Sequence, residues 1–128
     1  MTADWPYKFF TRAEMACKGS GECRMVDAFM VRLERLRAIY GKPMPVSSGY
    51  RSPAHNAAVS TTGETGPHTT GRAVDILVRG ADALELIGLA TDLGFTGIGV
   101  SQKGPSRFIH LDDLPDAPGQ PRPTIWSY

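Results

Sequence analysis

A chain of 128 residues fits one domain over 1–128 and can bury roughly two-thirds of its extended surface without disulfide staples. Lys+Arg 14 against Asp+Glu 13 leaves a net charge of +1, which excludes a strongly basic nucleic-acid binder or a polybasic membrane anchor as the default. No apolar run approaches the ~18 residues of a membrane span, and Met1-Thr2-Ala3-Asp4-Trp5-Pro6 has neither the basic start nor the apolar stretch of a signal peptide. The expectation is a monomer made in the cytoplasm, with no nucleic-acid or membrane partner.

Residues 1–25 are irregular by pattern, and Cys17 to Cys23 reads as a loop. From Val26 to Tyr40 the apolar residues Val26, Phe29, Met30, Leu33, Leu36 and Tyr40 follow helical spacing, with Gly41 and Pro43 as stops. Arg32, Arg35 and Arg37 fall on the opposite, solvated face. Pro45 to Tyr50 reads as a short strand. Ser52-Pro53 is a good helix start, because Ser caps free amides and Pro tolerates the first helical position. A helix over Pro53 to Val59 follows, then a polar, Gly-rich loop from Ser60 to Gly71 whose length suggests a function. Ala73 to Val78 is a strand. Asp82 and Glu85 resemble a capping box opening a second helix that runs to Leu93. Gly97 to Ser101 and Arg107 to Asp112 form a predicted hairpin, and the Pro-rich tail wraps the surface until Trp126 and Tyr128 dock it. The class is α+β, with a small, largely antiparallel sheet and flanking helices.

The chemistry gathers around His68, Asp75 and His110. His68 lies in the Gly-rich loop, and Asp75 sits inside an apolar strand, where a carboxylate is costly unless paired or bound to metal. Strand alternation puts Phe108, His110 and Asp112 on one face and Ile109 and Leu111 on the other. Two His and one carboxylate form the ligand set of a catalytic zinc. The bland alternative has Asp75 capping a turn or pairing with Arg72 or Arg79, and His110 as a hydrogen-bonded sheet residue.

Four blocks carry a resemblance. They are Ser48-Gly49-Tyr50-Arg51-Ser52-Pro53-Ala54-His55-Asn56, Pro67-His68-Thr69-Thr70-Gly71-Arg72-Ala73-Val74-Asp75-Ile76, Gly94-Phe95-Thr96-Gly97-Ile98-Gly99, and Phe108-Ile109-His110-Leu111-Asp112. In that order the chain resembles the zinc D-alanyl-D-alanine carboxypeptidase family, which also holds L-alanyl-D-glutamate endopeptidases and phage endolysins. Phe9 to Cys17 and the closing Trp126-Ser127-Tyr128 add to it, so the likeness spans nearly the whole chain. The resemblance implies the fold shared by lysostaphin-type, D-Ala-D-Ala and hedgehog domains. It implies zinc held by His68, Asp75 and His110, and Arg51 contacting substrate near the metal.

The residue that takes up a proton is left open by this reading. Some members carry Glu or Asp three residues before the last His, where this chain has Arg107. Asp112 is then the candidate base, or alternatively a group that orients a His ligand. Arg51 would anchor a substrate carboxylate or stabilise an oxyanion. Other departures are Gly66 for a usual Ser, Asp113-Leu114 for Val-Arg, and Val100 or Ser101 for an aromatic.

The reading that follows is a zinc peptidase acting on peptidoglycan stem peptides or cross-links. An endolysin reaching the periplasmic wall after holin release fits the missing export signal. The alternatives are a bacterial remodelling carboxypeptidase and a non-catalytic zinc-binding recognition module. His55 is expected to be structural or at the pocket rim, and Cys17 and Cys23 to be free thiols, since they lack Cys-x-x-Cys spacing. Trp5, Phe9, Phe10, Trp126 and Tyr128 are expected as core or terminal anchors.

Overall fold

The computed structural model describes residues 5–128; of the opening stretch read for export, Met1 to Asp4 lie outside the described residues. The elements in chain order are α1 (Arg12–Met15), α2 (Asp27–Tyr40), β1 (Val46–Ser48), α3 (Pro53–Val59), β2 (Ala73–Leu77), α4 (Gly80–Asp92), β3 (Gly97–Ser101), β4 (Phe108–Asp112) and β5 (Thr124–Ser127). No helix among the described residues is long and apolar enough to cross a membrane.

The 3.6-residue periodicity of α2 buries Phe29, Met30, Leu33, Leu36 and Tyr40, and α4 lays Ala83, Leu86 and Ala90 beside them. Gly41, at φ +74°, takes the left-handed cap that ends α2. Three expectations are corrected here. Residues 1–25 contain a helix: Thr11 accepts the Glu14 N–H at 3.2 Å while the Glu14 carboxylate accepts the Thr11 N–H at 2.9 Å, a capping box that holds α1 and buries Met15. Asp82 and Glu85 form no such box, because the cap position is Arg79; both carboxylates pair with Lys42. Arg32 leaves the solvated face, donating from Nη1 to the Leu93 carbonyl at 2.9 Å and lying with Nε 3.6 Å from Asp113.

The sheet has the order β1-β2-β4-β3-β5. The first three pairings are antiparallel, and β5 joins β3 in parallel. The tail therefore does more than wrap the surface; its end becomes an edge strand.

Strand alternation then divides the sheet into two unlike faces. Val74 and Ile76 of β2, Ile109 and Leu111 of β4 and Ile98 of β3 turn toward α2 and α4 and form the core. Asp75, His110, Asp112, Gly97, Gly99 and Trp126 occupy the intervening positions, on the other face. That second face is bordered by the loop after α3 and by the tail, with α3 packed against that loop. Ser52 caps α3, accepting the His55 N–H at 3.2 Å, with Pro53 in the first turn. The polar loop folds into two 3₁₀ turns, Gly63–Thr65 and Pro67–Thr70. The second of these carries His68.

Candidate metal centre

Each side chain of the centre arrives by a different route. Asp75 comes from the middle of β2 and His110 stands opposite it in register on β4. His68 is delivered by its 3₁₀ turn, which is tied down where the Arg51 N–H donates to the His68 carbonyl at 3.1 Å. All three are buried: His68 is 5% exposed, Asp75 7% and His110 2%.

Their donor atoms converge. Asp75 Oδ1 lies 3.2 Å from His68 Nε2 and 3.0 Å from His110 Nδ1, and one donor atom from each residue falls within 4.8 Å of the others. The outward nitrogens are fully committed. His68 Nδ1 is 2.7 Å from the Gly49 carbonyl, and His110 Nε2 is 2.7 Å from Asp112 Oδ2. A carbonyl and an ionised carboxylate can only accept, so both outward nitrogens carry the proton. In the neutral rings His68 Nε2 and His110 Nδ1 are then bare lone pairs facing Asp75. Two imidazole nitrogens and one carboxylate oxygen, each histidine fixed from behind, match the donor chemistry of a zinc site. The group fits.

With no metal between them, the same two nitrogens can bond Asp75 only by carrying a proton, and the electrostatics are those of that metal-free state. Burial alone would raise the Asp75 carboxyl, but hydrogen bonds from His110 and His68 hold it well below the usual carboxylate range. Burial works against protonation of His110, and its hydrogen bonds to Asp112 and Asp75 outweigh this and raise it. Burial likewise opposes ionisation of Asp112, yet hydrogen bonds from His110 and Arg122 bring it down to about 2.

Asp112 does not face the cleft. It is 0% exposed, with Oδ2 taken by His110 and both oxygens gripped by Arg122, Nε to Oδ1 at 2.9 Å and Nη2 to Oδ2 at 2.8 Å. The Leu114 N–H adds a contact at 3.3 Å. Strand alternation put Asp112 on the correct face, but depth on that face depends on what the tail covers. Space for its carboxylate comes from Gly97, its register partner on β3: a Cβ there would meet Asp112 Oδ1 at 2.3 Å. Gly99 does the same for His110 and Trp126, whose atoms a Cβ would approach to 2.8–2.9 Å.

The centre opens into a cleft of about 600 Å³ whose walls include Arg51, Thr62, Phe108, Trp126 and Tyr128. Arg51 is held by Ser48 Oγ at 3.1 Å from Nε and by Asn56 Oδ1 at 3.0 Å from Nη1, which leaves Nη2 3.9 Å from Asp75 Oδ2. Asn56 is itself buried, with its amide donating to Thr62 Oγ1 at 2.8 Å. A second cleft of about 490 Å³ shares Thr62, Pro67 and Trp126 with the first and extends to Gly119–Arg122.

Arg107 lies away from this site, bonded to the Gly104 carbonyl at 3.1 Å. Arg72 pairs with Asp113, so it is not the partner of Asp75. His55 packs near Gly19 and not at the ligands. Cys17 and Cys23 are free thiols, and Cys17 Sγ accepts the Ser52 N–H at 3.3 Å. Phe10 is buried as an anchor, Phe9 is partly exposed under Arg37, Trp126 is a half-buried cleft wall, and Tyr128, expected as an anchor, is a mostly exposed cleft wall beside Phe108. Sequence reasoning passed over Arg122 and Asn56. Asn56 had a signal, a polar residue one turn after the Ser52 cap; Arg122 had none.

A family model described as Peptidase M15 matches residues 8–112. The chain belongs to that peptidase family, the one its four sequence blocks resemble. No curated protein matches the chain.

Proposed function

We propose that this protein is a zinc-dependent peptidase that hydrolyses peptide bonds in peptidoglycan stem peptides or their cross-links. One observation carries the reading: one potential ligand atom each of His68, Asp75 and His110 converges at the floor of an open cleft. Bound there, zinc supplies Lewis acidity, activating water for attack near neutral pH and polarising a scissile carbonyl.

The chain's own residues divide the remaining work. Asp112 holds the proton on His110 Nε2 and thereby keeps Nδ1 turned to the metal. Arg51, fixed by Ser48 and Asn56, offers its remaining donors to a peptide carboxylate or a developing oxyanion. The cleft walls Trp126, Phe108 and Tyr128 give apolar surface to a short peptide. The peptidoglycan substrate is supported by the sequence blocks, which carboxypeptidases and endolysins of the family share.

One observation favours a second reading, a zinc-binding recognition module. Among the described residues lining the cleft, Asp75 is the only carboxylate, and Asp112 is sealed behind His110. Digestion of purified peptidoglycan by the wild type and by His68→Ala, read by mass spectrometry of the released muropeptides, separates the two. The peptidase reading predicts products from the wild type alone and identifies the bond cut. A zinc-loaded wild type that releases nothing more than His68→Ala would leave the recognition module.

A further inference from the structure

Arg122 stands outside the segment that matches the family, ten residues beyond Asp112 in the tail. Its side chain is only 7% exposed. Nε and Nη2 both serve Asp112, Nη1 closes on the Pro121 carbonyl at 2.8 Å, and the guanidinium lies 5.2 Å from the Trp126 ring centroid. Trp126 in turn packs at 5.1 Å against the His110 ring, the two planes tilted by 50°. The tail is anchored so as to deliver this group: the Arg122 N–H donates to Asp116 Oδ1 at 3.0 Å, and β5 pairs with β3 immediately afterwards.

A fully buried carboxylate needs a partner of opposite charge. Among the described residues, the side chains pairing with Asp112 are His110 and Arg122. In the neutral His110 that a metal requires, the charge of Asp112 falls to Arg122 alone. The planar fork also fixes the carboxylate's orientation, which one ammonium could not do. Asp112 orientation sets the direction of its bond from His110 Nε2, and hence where Nδ1 points.

We propose that Arg122 is a positioning residue of the metal centre, and that through Asp112 and His110 the tail sets how tightly the centre holds its metal. This rests on the zinc-site reading above and deepens it. The molecule contains its own control. Asp113, the next residue, is gripped in the same two-point way by Arg72, at 2.8 and 3.0 Å, but leads to no ligand.

The test is zinc affinity of the full chain, measured by competition with a chromophoric chelator, for wild type, Arg122→Met, Arg122→Lys and Arg72→Met. Absorption spectra of the cobalt-substituted forms are recorded alongside. Disturbing a partner behind a histidine ligand weakens metal binding by about 10–100-fold; that loss is expected for Arg122→Met. Arg122→Lys, which keeps the charge and loses the fork, should also bind more weakly and show an altered cobalt spectrum. Arg72→Met should match the wild type in both. If Arg122→Met does not fold, Arg122→Lys decides. Unchanged or tighter zinc binding in the Arg122 variants would overturn the proposal, and so would an equal loss in Arg72→Met. A wild type that takes up no zinc would sink the parent reading itself, a result distinct from either.

Discussion

Asp112 and Asp113 are adjacent, both have nearly inaccessible side chains, and both are held by two bonds from an arginine. What lies behind them differs. Asp113 ties β4 to Arg72 and, at 3.6 Å, to Arg32 on α2, so its grip joins a strand to the helical layer. Asp112 faces the other side of the sheet, where its second contact is the Nε2 of His110. Asp112 closes β4 and Asp113 is the first residue past it, and the turn of the chain there sends two chemically identical residues into two roles, one fastening the core and one aiming a ligand. Ion-pair geometry alone therefore says little about function; the next atom along does.

The comparison can be broken in several ways. The largest effect is expected at the ligands: His68→Ala or Asp75→Ala should reduce zinc uptake below one tenth of an equivalent per chain by metal analysis. Next, Asp112→Asn should weaken zinc binding by about 10–100-fold. Full zinc retention with lost turnover would instead return Asp112 to the role of base. Gly97→Ala should act in the same direction, since its Cβ would displace the Asp112 carboxylate, and zinc competition would show it. The smallest effect on the site belongs to Arg72→Met. It should lower stability by about 1–3 kcal/mol, the scale of hydrogen bonds to a charged group, read by denaturant unfolding, while zinc affinity stays within twofold of wild type. A large zinc loss in that variant would erase the distinction between the two aspartates.

Much of this site was legible before any coordinates. A carboxylate inside an apolar strand, and a His two residues before an Asp on another, break the binary pattern where a core should be uniform, and such breaks mark sites. The helix α3 was legible to the residue because Ser52-Pro53 is a local signal. What failed was depth and distance. Alternation gives the face of Asp112 but not its burial, because burial comes from the tail, whose path no periodicity encodes. Arg122 and Asp112 meet through a turn-rich segment with no pattern linking them. Arg32 looked solvated on its own helix because its partners, Leu93 and Asp113, belong to other elements. Asp82 and Glu85 had capping-box spacing, but the position before the helix was Arg79, which has no acceptor to offer.

The most direct test of the central claim is calorimetric titration of zinc into the metal-free wild type and into His68→Ala. The account predicts one zinc per chain in the wild type and no saturable binding in the variant. Equal binding by both, or none by either, would contradict it.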